Sequence, residues 1–169
     1  MGKYSTSRDA LAGYIMPAGL LLLTGGMVAL QAVVAHKNGR NIPMFLYAVP
    51  LVILPIIIGI AYVLRPREIE TDEEKLTIVK RYPVTIYYKD IKAVRQLDPE
   101  ELKRSLRTFG NGGLFGYTGK YYKKPFGSMT WYCTQRDNYV LIELHNEKKI
   151  VVTPDTPQDL VLEIKSHLP

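Results

Sequence analysis

The chain begins with two long apolar segments and continues with short segments in which apolar and polar residues alternate. The apolar segments cover residues 11–35 and 42–64, and neither contains a formally charged side chain. Because a helix rises about 1.5 Å per residue, each segment can cross the roughly 30 Å hydrocarbon layer of a bilayer. The connection 36–41 is short and polar. The pattern therefore predicts a transmembrane helical hairpin with spans at about 11–35 and 42–64.

Two alternatives compete with this interpretation of the apolar segments. A cleaved signal peptide has an apolar region of about 7–15 residues, which is shorter than the segment 11–35. The segment 42–64 would in any case still anchor the cleaved chain. A pair of core helices in a soluble protein is disfavoured because neither segment has a polar face. Two retained spans are therefore the preferred prediction.

The second half of the chain has the pattern of a mainly-β domain. Segments such as 76–79, 84–88 and 139–144 are short, rich in β-branched and aromatic residues, and separated by polar turns. A helix is predicted at the end, where Leu160, Val161 and Ile164 form one apolar stripe. About seven short strands followed by one amphipathic helix favour a strongly bent sheet whose open end the helix closes.

Two motifs in this half carry a resemblance to a known family. The first is the glycine-rich segment 107–119, Arg-Thr-Phe-Gly-Asn-Gly-Gly-Leu-Phe-Gly-Tyr-Thr-Gly, and the second is 150–157, Ile-Val-Val-Thr-Pro-Asp-Thr-Pro. Together they resemble the bacterial pleckstrin-homology-like (bacterial PH) domain family over roughly residues 66–168. The resemblance implies a pleckstrin-homology-like β-barrel with a C-terminal capping helix, and it implies no reaction. The predicted organisation is a membrane anchor at 1–65 and a cytoplasmic PH-like domain at 66–169.

The charges flanking the apolar segments predict the orientation of the hairpin. The connection between the spans carries two basic residues, Lys37 and Arg40, whereas seven lie on the side that holds both termini. These seven are Lys3, Arg8, Arg65, Arg67, Lys75, Lys80 and Arg81. The positive-inside rule then predicts a multi-pass protein of the cell (inner or plasma) membrane with both termini in the cytoplasm.

The residues that usually carry chemistry are sparse. A single cysteine and three scattered histidines give neither a disulfide framework nor a metal site. No nucleophile–base order and no phosphate-loop or dinucleotide pattern can be recognised. Nucleic acid is disfavoured as a partner because the half after residue 65 carries 17 Lys/Arg against 15 Asp/Glu. The prediction is a non-enzymatic protein without a cofactor.

The segment 103–136 is the best candidate for a functional surface. It contains seven Lys or Arg residues and no Asp or Glu, together with aromatic residues that suit a membrane interface. Its candidate contacts with anionic lipid headgroups are Arg104, Arg107, Lys120, Lys123 and Lys124. In the alternative interpretation, Phe109, Phe115 and Tyr117 fold into the core, the glycines of 109–119 only shape a connection, and the lysines are solvated. The sequence leaves both interpretations open.

Two functional hypotheses follow from these patterns. The leading hypothesis is an integral membrane protein that presents a cytoplasmic PH-like interaction or scaffolding domain to anionic lipid, to a protein partner or to a second copy of itself. The alternative is an accessory subunit of a membrane transport or envelope-maintenance complex that acts through its helical hairpin. Gly25 and Ala29, four residues apart, would allow close helix contact in that case.

Overall fold

Two long apolar helices occupy the first part of the chain. The structure is a computed structural model and describes residues 2–39 and 43–168. The first helix begins with a π-helical turn, Leu11–Ile15, and continues as α1, Met16–Lys37; the second is α2, Met44–Leu64. Both are long and apolar enough to cross a membrane, by length and composition, and within the windows that meet this criterion almost no residue is buried. The predicted start of the second span at Ile42 lies outside the described residues.

The remainder of the described chain is mainly β. A four-stranded antiparallel sheet has the order β1-β2-β3-β4, and a six-stranded sheet has the order β5-β9-β10-β8-β7-β6, with β10 and β8 parallel. The strands are β1 Gly2–Ser5, β2 Glu68–Thr71, β3 Lys75–Val79, β4 Val84–Tyr87, β5 Ile91–Gln96, β6 Leu106–Gly112, β7 Tyr117–Lys123, β8 Gly127–Cys133, β9 Val140–Leu144 and β10 Lys149–Val152. The short helix α3, Pro99–Leu102, follows β5, and α4, Pro157–Ser166, follows β10.

This architecture confirms the predicted fold class with one difference. Two apolar helices precede a mainly-β domain with PH-like sheets and a C-terminal helix, as the sequence predicts. The sheets do not close into a true barrel, because each keeps two edge strands: β1 and β4 in one, β5 and β6 in the other. A single 3₁₀ turn, Tyr88–Asp90, leads from β4 to β5, and these two strands do not pair.

One face of the six-stranded sheet, called the inner face, packs against the four-stranded sheet and α4. Alternate residues of each strand point to this side, as the two-residue period of a strand requires. The aliphatic side chains that fill the space are Ile69, Leu76, Ile78, Ile86, Val140, Ile142, Ile150, Val152, Leu160, Val161 and Ile164. The predicted stripe on α4 is therefore buried, and α4 covers the inner core as expected.

The opposite face, called the outer face, carries a second and more aromatic cluster. Tyr117 and Tyr121 of β7 and Met129, Trp131 and Cys133 of β8 point to this side. Only short elements cover them: α3, the side chains of Phe126 and Tyr139, and Ala12 from the start of the first helix are the main ones. Cys133 is buried, and burial raises the pKa of its thiol.

The N-terminal strand β1 joins the β domain, which the sequence pattern does not predict. It pairs antiparallel with β2, with Gly2 opposite Thr71 and Ser5 opposite Glu68. The Tyr4 hydroxyl donates to the Glu163 carboxylate of α4. The residues before α1 and the residues after α2 therefore lie in one sheet.

Candidate functional site

The glycine-rich segment forms a tight hairpin between β6 and β7. Gly110 and Gly119 lie opposite each other, and both have positive φ, +105° and +134°. A Cβ on Gly110 would lie 2.3 Å from the Thr118 carbonyl oxygen, and one on Gly119 would lie 2.2 Å from the Phe109 carbonyl oxygen. No side chain fits at this distance, so the close approach of the two strands requires glycine at both positions.

The tip of this hairpin contacts the ends of both apolar helices. A Cβ on Gly113 would lie 2.6 Å from the Met16 sulfur. The Phe115 backbone N–H donates to the Ala12 carbonyl oxygen at 2.8 Å, and the Phe115 ring meets the Tyr62 ring edge-on, with centroids 5.2 Å apart. The glycine-rich segment thus has a structural role, because it joins the β domain to the start of the first helix and the end of α2.

The three aromatic residues of this segment separate into two groups. Phe115 and Tyr117 are buried, as the alternative sequence interpretation predicts. Phe109 is 76 % exposed, so for this residue that interpretation is wrong. The β6–β7 register shifts between Arg107 and Phe109, and this irregularity lies directly before the exposed ring.

The five candidate basic residues do not form one surface. Arg104 and Arg107 line an open pocket of about 510 Å³ on the outer face, called the outer pocket. Lys120 lines a second pocket, of about 390 Å³, beside the end of α2. The Lys123 ammonium donates to the backbone carbonyls of Glu100 and Lys103, whereas Lys124 is exposed directly after β7.

The surroundings of Lys120 form an amphipathic surface at the end of α2, called the helix-end surface. It comprises Lys80, Tyr82, Phe109 and Lys120, which line one pocket with Ala61 and Leu64 of the helix. The Tyr82 side chain is 70 % exposed, and the Lys120 ammonium donates to the Thr130 hydroxyl at 2.8 Å. Exposed aromatic rings beside ammonium groups suit the boundary between lipid and water.

The outer pocket is lined by two more cationic residues than the two candidates that the sequence predicts there. Besides Arg104 and Arg107 it is lined by Lys103 and Arg136, and its other lining residues include Tyr117, Tyr121, Trp131 and Tyr139. The Arg136 guanidinium lies 4.7 Å from the centre of the Tyr117 ring, close enough for a cation–π contact. Arg136 belongs to the basic segment 103–136, but its sequence position gives no sign of which face it joins.

The pKa values of the tyrosines in this pocket are raised. Burial raises the pKa of Tyr121 to about 12, against the smaller lowering effect of Arg107 and Arg136. Burial likewise raises the pKa of Tyr117 and that of Tyr139. These hydroxyls therefore stay neutral near pH 7 and act as hydrogen-bond groups rather than as anions. Within residues 2–39 and 43–168, no three His, Cys, Asp or Glu side chains come together as a metal site.

Comparison with known families agrees with this architecture. The sequence profile described as "Bacterial PH domain" matches residues 67–168, which is 102 of the 169 residues. A search of curated proteins gave no match, and a search of solved structures gave none. The profile covers the span from just before β2 to just after α4, that is, both sheets except β1. The chain belongs to the bacterial PH domain family.

Proposed function

We propose that this protein is a non-enzymatic integral membrane protein whose PH-like domain is an interaction module held at the membrane and in contact with anionic lipid headgroups. In this proposal residues 1–65 contain the anchor, with α1 and α2 as its two spans, and residues 66–169 form the cytoplasmic domain, to which β1 adds a strand. The observation that carries the proposal is the helix-end surface, where Phe109 and Lys120 lie beside Leu64 at the end of an apolar helix.

The pairing of β1 with β2 supports the topology. Gly2–Ser5 precedes the first helix and Glu68–Thr71 follows the second, yet they are neighbouring strands. If both helices span a bilayer, strands this close must lie on the same side of it. The excess of basic residues on that side favours the cytoplasm. A cysteine at Asn38, in a chain without Cys133, is then expected to react with an impermeant thiol reagent in intact cells.

Charge and exposure support the lipid contact. Lys or Arg near an anionic leaflet contributes on the order of 1 kcal/mol, and aromatic rings favour the interface. Lys80 and Lys120 supply the charge, whereas Tyr82 and Phe109 supply rings that are 70 % and 76 % exposed. Of the other candidates, Lys124 is exposed and suited to the same role, while Lys123 is engaged by backbone carbonyls.

The test measures how close the helix-end surface comes to lipid. A fluorophore on a cysteine at Phe109, in a full-length chain with Cys133→Ala, is reconstituted into nanodiscs that contain brominated lipid. We expect strong quenching, greater with phosphatidylglycerol than with phosphatidylcholine, and a reduced difference after Lys120→Glu. The matched control is a label at the exposed His145, in the β9–β10 turn at the other end of the sheet. Equal quenching at the two positions would contradict the proposal.

A further inference from the structure

The outer pocket lies on the opposite side of the sheet from the helix-end surface. Lys120 and Tyr121 are consecutive residues of β7, and their side chains point to opposite faces because a strand alternates. Lys120 lines the pocket beside α2, whereas Tyr121 lines the outer pocket. A cavity of about 510 Å³ is within the usual range for small-molecule sites. The outer pocket is therefore a separate candidate site, and its role does not depend on the lipid contact proposed above.

The positive charge of the outer pocket is not neutralised within the described part of the chain. Four cationic side chains, Lys103, Arg104, Arg107 and Arg136, line it together with a single carboxylate, Glu100. That carboxylate pairs with Lys103 at 2.9 Å. The described residues show no ion pair for the three arginines. Like charges repel when they share a concave surface, and an anionic ligand would relieve this repulsion.

A residue in the wall of the same pocket carries a buried hydrogen-bond donor that has no partner among the described residues. Trp131 is 5 % exposed and lines the pocket, and its indole Nε1–H has no acceptor among the described residues. Its ring is held by stacking on Tyr121, with centroids 4.1 Å apart. A buried donor that lacks an acceptor is costly, so most such donors are satisfied. The wall of the pocket therefore includes one polar group that the described residues leave unsatisfied.

Gly112 leaves space for the guanidinium group of Arg107. A Cβ on Gly112 would lie 2.2 Å from Nη1 of Arg107 and 2.9 Å from its Cζ. The absence of a side chain at Gly112 therefore lets the Arg107 guanidinium lie against the β6 backbone at the wall of the pocket. A side chain at position 112 would displace this guanidinium from where it now lies.

We propose that the outer pocket is a binding site for a phosphate-bearing small molecule, with Arg104, Arg107 and Arg136 as the anion-binding groups and Trp131 as part of the pocket wall. Guanidinium groups bind phosphate oxygens in a bidentate manner, and three of them match the charge of a phosphate monoester or diphosphate better than that of one carboxylate. The phosphate can come from a lipid headgroup or from a soluble compound, because both present the same oxygens.

The chain contains its own reporter for this site. Trp131 is the single tryptophan of the sequence, so the intrinsic tryptophan emission of the protein arises at the outer pocket. Full-length protein in phosphatidylcholine nanodiscs is titrated with inorganic pyrophosphate, and binding is followed by tryptophan emission and by calorimetry. In a second arm the nanodiscs contain phosphatidic acid, whose headgroup is a phosphate monoester. We expect a saturable signal in at least one arm; the first identifies a soluble ligand and the second a lipid headgroup.

Two variants test whether the signal belongs to the proposed residues. Arg107→Gln removes a charged donor, and loss of such hydrogen bonds should weaken binding about tenfold or more. Gly112→Ala keeps every charge but displaces the Arg107 guanidinium, and it should weaken binding in the same direction. This position has no positive φ, so alanine causes no backbone strain there. The control Lys148→Gln removes one exposed charge in the β9–β10 turn, outside both the pocket and the proposed lipid contact, and should change the affinity less than about threefold.

The outcomes are decisive in both directions. Saturable binding that both variants weaken, with Lys148→Gln close to the parent, supports the site. If Arg107→Gln fails to fold, Gly112→Ala alone decides. Absence of binding in both arms by emission and by calorimetry overturns the proposal, as does binding that Gly112→Ala and Lys148→Gln affect equally. Loss of lipid quenching at Phe109 would contradict the proposed function and leave this result unchanged.

Discussion

The two faces of the six-stranded sheet are built from the same strands and differ in almost everything else. The inner face is aliphatic, and a second sheet and α4 cover it. The outer face is rich in tyrosine and tryptophan, and α3, a helix of four residues, is the main regular element over it. The inner core is close-packed and joins the two sheets. The outer side keeps a pocket and, within the described residues, arginines without an ion pair and a buried donor without a partner.

The largest effect is expected when one buried side chain is truncated on each face and the losses of unfolding free energy are compared. Ile142 is fully buried in the inner core, and Ile142→Ala should lower the free energy of unfolding by about 2–5 kcal/mol. Leu102 is 3 % exposed on the outer face but borders the open pocket, and Leu102→Ala should cost less because water and neighbouring side chains can enter the space. Denaturant unfolding of the full chain in detergent, followed by Trp131 emission, measures both. Equal losses would mean that the outer face is packed as firmly as the inner one.

The elements predicted correctly are those whose signal is local. The two apolar helices are recognisable because length and composition alone define them. The helix α4 carries its own period of apolar residues, Leu160, Val161 and Ile164. The strand β1 has no such signal: it is four residues long, and its partner β2 lies more than 60 residues away. Only the pairing identifies it, and a pairing is not encoded in the segment itself.

The sequence predicts the candidate site as one continuous segment, whereas in the fold its residues lie on two different surfaces. The basic stretch 103–136 does contain the arginines of the outer pocket and Lys120 of the helix-end surface. Alternation along β6 and β7 sends neighbouring side chains to opposite faces, and the register shift after Arg107 disturbs the count. The number of positive charges in the segment therefore exceeds what either surface presents. Lys80, from the turn after β3, completes the helix-end surface, and the cationic residues of the outer pocket other than Arg107 lie outside the strands.

A smaller loss of stability is expected when the hydrogen bond between β1 and α4 is removed. Tyr4 donates its hydroxyl to Glu163, which also accepts from the Thr71 hydroxyl. Hydrogen bonds to charged groups contribute about 1.5–3 kcal/mol, so Tyr4→Phe should lower the free energy of unfolding by up to that amount. Tyr82→Phe, which alters an exposed hydroxyl, is the control and should change little. A loss equal to that of the control would show that the Tyr4 hydroxyl does not stabilise the attachment of β1.

The same contact predicts how acid should act on the inner layers. Burial raises the pKa of Glu163, but the hydroxyls of Thr71 and Tyr4 outweigh it and leave the pKa below its ordinary value of 4.5. The unfolded chain then binds the proton more tightly than the folded one. The stabilisation is therefore complete above about pH 4.5 and is lost as the pH falls through the lower, folded pKa. Melting temperatures of the parent and of Glu163→Gln are measured between about pH 3 and about pH 7, a range that covers the titration of a carboxyl group. The two should converge at the acidic end, and a difference that stays constant with pH would contradict this.

The smallest effect concerns the helix that covers the outer face. Glu101 of α3 accepts from the Arg95 guanidinium at 3.1 Å and from the Asp98 backbone N–H at 3.0 Å, and the Arg95 contact is the main cause of its lowered pKa. Glu101→Gln keeps the cap, since glutamine serves in a capping box as well, but loses the ion pair. Exposed pairs contribute about 0.2–1 kcal/mol, so the loss of unfolding free energy should fall in that range and shrink in 1 M salt (a Debye length of roughly 3 Å). Denaturant unfolding at low and high salt checks both, with Lys103→Gln as a comparison for the neighbouring pair to Glu100. A salt-independent loss well above this range would mean that α3 is anchored as tightly as α4, and the contrast between the two faces would then rest on the pocket alone.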